Sequence, residues 1–588
     1  MVGNSAYRLQ DLSYSMILKN NMELSKTVKE KDFTINIFSN IIVNPIKEIL
    51  EFYIRSISLN PLIKFGNYDN IVQDTFAVAE TDLVIVFYEL INLTENFHLQ
   101  AELLSEAEVS EVIEKCKRDI DLIFDNLAGR LVLFNKFSSF PFTGSHISKR
   151  NLEIIAIELN AYVDRKKPTN VQLVDINRIL SSIGADGAYD RKKFLKYKSL
   201  YKIDFLKLYI AAIENILLRV TGKLKKALIF DCDNTLWKGV IGEDGPDGID
   251  MSPKSEIGIN YFLVQKIAAN LSGKGILICL CSKNNPAEVE GLLSSHPDMV
   301  LNNDHIVAMK VNWNTKDDNL KSLAEELNIG LDSFVFIDDS EFEVNLIKAN
   351  VPQVLTIAVP KDVHEYPAMI MEIAQRYFNL EPLNEDLKKI KIYKEQAKRV
   401  DAMKTVGDID SYLATLETKV NISKNNAHQI SRIAQLTQKT NQFNFTTKRY
   451  SEFQIAAFMN DPGSCVFSID VADKFGESGI TGVIILKELS TEVIEIDSYL
   501  LSCRILGRKI EVFFLNYIID YCKHHNYKFI RASYIKTNKN SQVRDFYKEN
   551  HFIEEKISDE MSTYTVHLQE YQQTQIGFIT LIEPSIKS

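Results

Sequence analysis

From residue 31 the chain alternates short apolar runs with longer segments whose apolar residues recur at helical spacing, and it does so twice in succession. In the first stretch "TINIFSN" (34–40), "DLVIVFYEL" (82–90) and "RLVLFN" (130–135) have the unbroken apolar character of strands buried on both faces, and "VQLVDINRIL" (171–180) adds another strand. Helical patterns cover 44–56 and 105–127, and "IDFLKLYIAAIENILLRV" (203–220) is a long amphipathic helix that closes the region. Such alternation leaves few solutions: a parallel sheet with helices on both faces. The second stretch begins at Lys225, with strands at "KALIFDCD", "GILICLCS" (275–282), "SFVFIDDS" (333–340) and "QVLTIAVP" (353–360), and helices at 256–272 and 316–327.

At 588 residues the chain needs about three cores, because single cores stop growing near ~250–300 residues. A helical lead-in is expected over 1–30, α/β domains over 31–220 and 221–378, and a charged connecting helix over 379–410. The third region, 411–588, reads strand–strand–strand–helix–strand–helix, with strands at 465–471, 480–489, 492–502 and 528–535 and helices near 506–524 and 543–549. The expected class is therefore multidomain α/β.

A net charge of −10 argues against non-specific nucleic-acid binding, which needs an excess of Lys and Arg. Basic clusters at 191–198 and 223–226 read as solvated faces. No apolar run approaches the ~18–20 residues of a membrane helix, and the first residues lack a signal-peptide pattern. The seven cysteines show no metal spacing or disulfide framework, so the expectation is a cytoplasmic protein with reduced thiols.

"LIFDCDNTLWKGVIGEDG" (228–245) places Asp231 and Asp233 at the carboxyl end of a strand, where open α/β sheets put ligands. Alone, two aspartates and a threonine are weak. Their partners follow in order, however: a hydroxyl to hold phosphate at the end of the next core strand (Ser282), a cation at a helix start (Lys316), and acids ending a later strand (Asp338 and Asp339). An all-oxygen set of this kind suits Mg²⁺. The whole constellation resembles the haloacid-dehalogenase (HAD) superfamily of phosphoryl-transfer enzymes. Asp231 to Ser282 spans 51 residues and Ser282 to Lys316 spans 34, too few for a large cap domain. The only cover is then a hairpin-like flap at 237–248, and an open site suits a substrate delivered on a protein.

Further wording resembles the FkbH-like family within that superfamily: "DCDNTLWKGVIGEDG", "SKNN" (282–285), "NWNTKDDNL" (312–320), "RIAQLTQKTNQFNFTTKRY" (432–450), "DKFGESGITGV" (473–483) and "SCRILGRKIE" (502–511). The likeness covers roughly residues 150–570. It implies loading of a three-carbon acyl unit, typically glyceryl from the acyl phosphate 1,3-bisphosphoglycerate, onto an acyl carrier protein. It also implies metal and phosphate positions at Asp231, Asp233, Ser282, Lys316, Asp338 and Asp339, with Thr235 and Asn284 touching substrate. The sequence departs from the family at Lys238, where glycine is usual, and after Asp339, where Val344 replaces an arginine. A Mg²⁺-dependent phosphatase, or an acyl transferase of surface-polysaccharide synthesis, is the alternative.

Chemistry divides these readings. In a phosphatase the first aspartate attacks phosphorus and the second protonates the leaving group. On an acyl phosphate that route discards the activation, so acyl transfer needs a nucleophile at the carbonyl carbon. Cys232 is one candidate, although on a strand it points opposite to Asp231 and Asp233. Cys503 and the carrier's phosphopantetheine thiol are the others.

The third region resembles the GNAT acyltransferases, whose RxxGxG/A turn holds a pyrophosphate on backbone N–H groups at a helix start. Arg504 and Gly507 match, Lys509 replaces the second small residue, and Asn540 and Tyr547 match a later motif, which implies binding of phosphopantetheine. The first domain resembles, more weakly, the SGNH-hydrolase or flavodoxin-like folds. "FSN" (38–40) stands where a nucleophile block would be, which implies a catalytically silent docking or scaffolding role.

Overall fold

The computed structural model describes residues 9–28, 32–79, 81–139, 150–380, 409–502, 505–537, 539–556, 558 and 560–582. The chain divides into two compact units, Tyr7–Leu217 and Leu218–Ser588. The expected lead-in contains the helix Tyr14–Thr27, whose N-cap Ser13 accepts a hydrogen bond from the Met16 amide. Most of the expected connecting helix over 379–410 lies outside the described residues.

The first unit is built on β1 (Asp32–Ser39), β2 (Asn60–Phe65), β3 (Leu83–Phe87), β4 (Val132–Asn135) and β5 (Val171–Val174). All pair in parallel in the order β2-β1-β3-β4-β5, the flavodoxin-like arrangement. β3 and β4 are buried along their whole length, as their unbroken apolar runs require. The edge strand β2 escapes the sequence pattern because its "NPLIKF" carries a proline and alternates exposure.

At the carboxyl ends of these strands the "FSN" block is a structural tie. Asn40 donates to the Glu89 carbonyl and accepts from the Glu89 amide, both at 2.8 Å. The Ser39 hydroxyl accepts from the Ile41 amide at 3.1 Å. Glu89 is buried and receives the Tyr201 hydroxyl at 2.6 Å. Burial pushes its pKa up to about 7, and the Tyr201 bond opposes that only in part.

The second unit opens with β6 (Ala227–Phe230), β7 (Leu277–Ser282), β8 (Ile306–Val311), β9 (Phe334–Asp338) and β10 (Leu355–Ala358). These pair in parallel in the order β10-β9-β6-β7-β8, a Rossmannoid sheet of HAD type with β6 at its centre. Helices Gly258–Gly273 and Lys316–Leu327 lie where their spacing predicts. The connection from β6 to β7 holds only a short flap and one long helix, so no cap domain is inserted there. In the flap Lys238 and Asp250 exchange backbone hydrogen bonds of 2.9 and 2.8 Å, the short helix Ile241–Asp244 caps it, and Trp237 is fully buried beneath.

The remainder of the second unit is a nine-stranded sheet formed by β11 (Thr418–Lys424), β12 (Phe443–Asn444), β13 (Ser464–Asp473), β14 (Gly476–Glu488), β15 (Val493–Leu501), β16 (Phe529–Ile535), β17 (Ile553–Lys556), β18 (Met561–His567) and β19 (Ile579–Leu581). The order is β17-β18-β16-β15-β14-β13-β11-β19, with β12 on β15. A parallel β15–β16 pair inside an otherwise mainly antiparallel sheet, followed by the long helix Ile510–His524, is the GNAT topology. A HAD-like domain followed by a GNAT-like domain is the architecture implied by the FkbH-like resemblance.

Candidate active site

Asp231, Ser282, Lys316 and Asp338 come together at the carboxyl ends of β6, β7, β8 and β9. The backbone hydrogen bond from the Asp231 amide to the Ile337 carbonyl, 2.9 Å, fixes Asp231 beside β9. Lys316, the first residue of its helix, reaches back to both acids: its Nζ donates to Asp231 Oδ1 at 2.8 Å and to Asp338 Oδ2 at 2.6 Å. Asp231, Lys316 and Asp338 are 4%, 5% and 0% exposed, so the triad is desolvated and its charges act at low dielectric. Burial raises the Asp231 pKa, and the neighbouring Asp338 adds to this while Lys316 opposes it. Burial by itself would lower the Lys316 pKa, but the two carboxylates outweigh it and keep the ammonium charged.

Carboxylate oxygens of Asp231, Asp338 and Asp339 lie within 4.8 Å of one another. Three hard oxygen donors at this separation, two of them buried, fit a small divalent cation such as Mg²⁺. The fully buried hydroxyl of Tyr366 has no hydrogen-bond partner among the described residues, and the charges of Asp231, Asp339 and Asp338 act on it. Burial and the adjacent Asp338 also raise the Asp339 pKa.

Asp233 is not a member of this group, a correction to its expected side-chain role at the metal. Its Oδ1 accepts the Trp237 indole N–H at 2.9 Å and the Ile241 amide at 3.1 Å, and its Oδ2 accepts from Asn284 at 2.9 Å. Asn284 donates also to the Ser282 hydroxyl at 3.2 Å. The second aspartate is thereby aimed by the flap on one side and by the β7 loop on the other. Thr235 is fully buried, and its hydroxyl has no hydrogen-bond partner among the described residues. Val344 packs into the core from the helix Glu341–Asn350, while its neighbour Glu343 pairs with Lys283 at 2.6 Å.

The surroundings of Cys232 speak against it as the candidate nucleophile. It is fully buried among Phe230, Leu236 and Trp237 in the core cluster of this domain. Burial, reinforced by the Asp231 charge, pushes the thiol pKa well above its ordinary value, the reverse of what a thiolate nucleophile requires.

Of the residues expected to bind phosphopantetheine, Asn540 and Tyr547 are buried inside the GNAT-like domain. β15 and β16 pair only as far as Ile496 and Ala532, and the gap beyond is closed by the chain's own segment 443–445. The Phe445 amide donates to the Tyr499 carbonyl at 3.2 Å and the Ile535 amide to the Phe445 carbonyl at 2.8 Å. Asn540, fully buried, donates to the Asn444 and Ile535 carbonyls, each at 2.9 Å. Tyr547, also fully buried, packs its ring 4.3 Å from that of Phe445. Both residues thus hold the inserted segment in place. Gly507 is exposed at a φ of 76° before the helix Ile510–His524, with open space around it. Arg504 and Cys503 lie outside the described residues.

Sequence reasoning missed Trp237, Tyr366 and the Lys283–Glu343 pair. Trp237 carries a recognisable signal, since a tryptophan four residues after the second aspartate places a donor on the same turn. Tyr366 does not, because its helix starts 135 residues after Asp231 and only folding brings it close.

The fold and site together define a HAD-like α/β domain carrying a buried acid–lysine cluster, joined to a GNAT-like domain. No protein-family model matches the chain, and no curated protein matches it. Among solved structures, it is similar to the N-terminal part of the protein BF1531 from Bacteroides fragilis, which contains a phosphatase domain and is complexed with Mg. Identity is 22%, the TM-score is 0.52, and the match covers 63% of this chain and 99% of that one. The spermidine/spermine N-acetyltransferase SpeG from Vibrio cholerae matches at 15% identity and a TM-score of 0.21, over 26% of this chain and 95% of that one. The N-acetyltransferase PseH from Campylobacter jejuni matches at 17% identity and a TM-score of 0.19, over 25% and 97%.

Proposed function

We propose that this protein is an enzyme that transfers a glyceryl-like three-carbon acyl unit from an acyl phosphate to the phosphopantetheine thiol of an acyl carrier protein, releasing phosphate. The observation that carries the reading is the desolvated Asp231–Lys316–Asp338 cluster beneath a flap rather than a cap domain. A departing phosphate finds there a buried ammonium and the Ser282 hydroxyl, and a protein-borne acceptor finds the site uncapped. Asp231, Asp338 and Asp339 would hold Mg²⁺, which when bound supplies positive charge against the phosphate oxygens.

The thiol sulfur bonds to the carbonyl carbon, the bond from that carbon to the phosphate oxygen breaks, and inorganic phosphate leaves. Asp233, oriented by Trp237 and Asn284, accepts the thiol proton. The burial of Cys232 supports the carrier's own thiol as the attacking group, with Cys503 as the alternative within the chain. A second reading, hydrolysis with Asp231 attacking phosphorus, is favoured by the likeness to the phosphatase-domain structure. Incubating the protein with Mg²⁺, 1,3-bisphosphoglycerate and a holo carrier protein, then weighing the intact carrier, separates the two. A glyceryl adduct is expected; phosphate released without the carrier, and no adduct, would establish the phosphatase.

A further inference from the structure

The second unit contains a cavity of about 520 Å³ on the side of the HAD-like sheet away from the carboxylates. Its floor is the amino-terminal edge of the sheet: Lys226 immediately before β6, Gly275 to Leu277 entering β7, and Ser333 before β9. Lys226 and Asp231 bracket β6, so along an extended strand the two sites are roughly 16 Å apart. The opposite wall comes from the GNAT-like domain, from the helix Ile430–Lys439 and from Leu501 and Ser502 at the end of β15. The two walls are tied by an ion pair between Lys539 and Asp332, and within the HAD-like wall the Lys225 ammonium donates to the Asp332 carbonyl at 2.7 Å.

The charge of this lining opposes that of the chain. Seven lining side chains are Lys or Arg, against two acids, Asp332 and Glu452, in a protein of net charge −10. None of the seven is fully exposed: Arg432 is buried, and Arg219, Lys226 and Lys274 are among the six that are half-buried. Cations withdrawn from water and gathered around one cavity raise the potential inside it far more than a solvated basic face does. Burial pushes the Lys225 pKa down to about 8, with Asp332 opposing and the nearby Lys539 and Lys223 adding to the fall. The volume lies in the range of small-ligand and cofactor sites, and Leu224, Ile276 and Leu436 add apolar surface beside the cations.

We infer that this cavity binds an organic anion bearing phosphate groups, of nucleotide or coenzyme size, at a site separate from the acid–lysine cluster. Cations bind the phosphates, and the apolar wall takes the organic part. The inference does not depend on the function proposed above.

Isothermal titration calorimetry on the full-length protein tests it with three probes: ADP, coenzyme A and inorganic pyrophosphate, with phosphate-free pantetheine as the control. ADP or coenzyme A should bind more tightly than pantetheine. Affinity should fall about tenfold or more in the double variant K226E/K274E and stay unchanged in D231N. Pyrophosphate binding alone would show that only the phosphates are recognised and would overturn the organic part of the assignment. If the double variant melts well below the wild type, Arg219→Gln removes one cation from the same lining at a milder site, and a weaker affinity there decides the matter. No binding of any phosphate-bearing probe at millimolar concentration, equal binding of pantetheine, or loss of binding in D231N with retention in the charge variants would overturn the site.

Discussion

The Lys316 ammonium lies 2.8 Å from Asp231, a residue 85 positions earlier in the chain, and both side chains are buried. The same ammonium holds Asp338 at 2.6 Å, so one cation bridges two desolvated carboxylates. Lys316→Met removes it and leaves the two acids facing each other in a dry site. Stability should drop by on the order of 3 kcal/mol, as when one partner of a buried pair is deleted. Added Mg²⁺ should raise the melting temperature of the variant more than that of the wild type, because a cation can take over part of the compensation. Equal melting temperatures for variant and wild type would remove the energetic role assigned to this lysine.

Asp231 and Asp233 sit two residues apart yet face different partners, and substitutions should separate them. Asp231→Asn and Asp338→Asn should abolish Mg²⁺ binding measured by calorimetry. Asp233→Asn should keep it, while turnover falls by roughly 10²–10⁴, the usual contribution of a positioned proton acceptor. Loss of Mg²⁺ binding in Asp233→Asn would return that carboxylate to the metal group.

Cys232→Ser tests the buried thiol. The hydroxyl is fully buried beside Phe230, Leu236 and Trp237, so a stability loss of about 1 kcal/mol is expected in denaturant unfolding. The transfer rate should not change, and intact-mass analysis during turnover should detect no acyl group on residue 232. An acylated Cys232, trapped and mapped by proteolysis, would contradict its burial.

Glu89 makes the stability of the first unit depend on pH. Its carboxyl is raised to about 7 in the folded chain, chiefly by burial. Between the unfolded value near ~4.3 and that folded value, the native state binds more protons, so stability falls as pH rises and levels off above the folded pKa. Glu89→Gln can still accept the Tyr201 hydroxyl without carrying charge. It should flatten the pH profile and stabilise the protein at pH values above 7 by on the order of 2–3 kcal/mol. An unchanged profile in urea unfolding across that pH range would refute the assignment.

The strands that were legible are those buried on both faces. β3, β4, β6, β7 and β9 are unbroken apolar runs, and the helices Ile203–Val220 and Lys316–Leu327 begin and end where their spacing predicts. β2, β8 and the outer strands of the nine-stranded sheet were not, since edge strands carry mixed residues that local pattern cannot separate from loop. β11 was the exception that could have been found: "TKVNISK" alternates buried and exposed positions through most of its length.

In the site, local order sufficed for Asp231, Ser282, Lys316 and Asp338, because each terminates a strand or begins a helix and parallel sheets gather such ends at one edge. Side-chain direction needed the fold. Asp233 turns to Trp237 and Asn284, Cys232 turns into the core, and Asn540 and Tyr547 are spent on holding 443–445 in the gap beyond the β15–β16 pairing. The sequence by itself determined which elements form and which residues reach the carboxyl edge of each sheet, since periodicity and strand ends are local properties. Only the tertiary structure decided which of those side chains meet, which are dry, and where cations gather away from the acids. Desolvation and pairing depend on residues far apart in the chain.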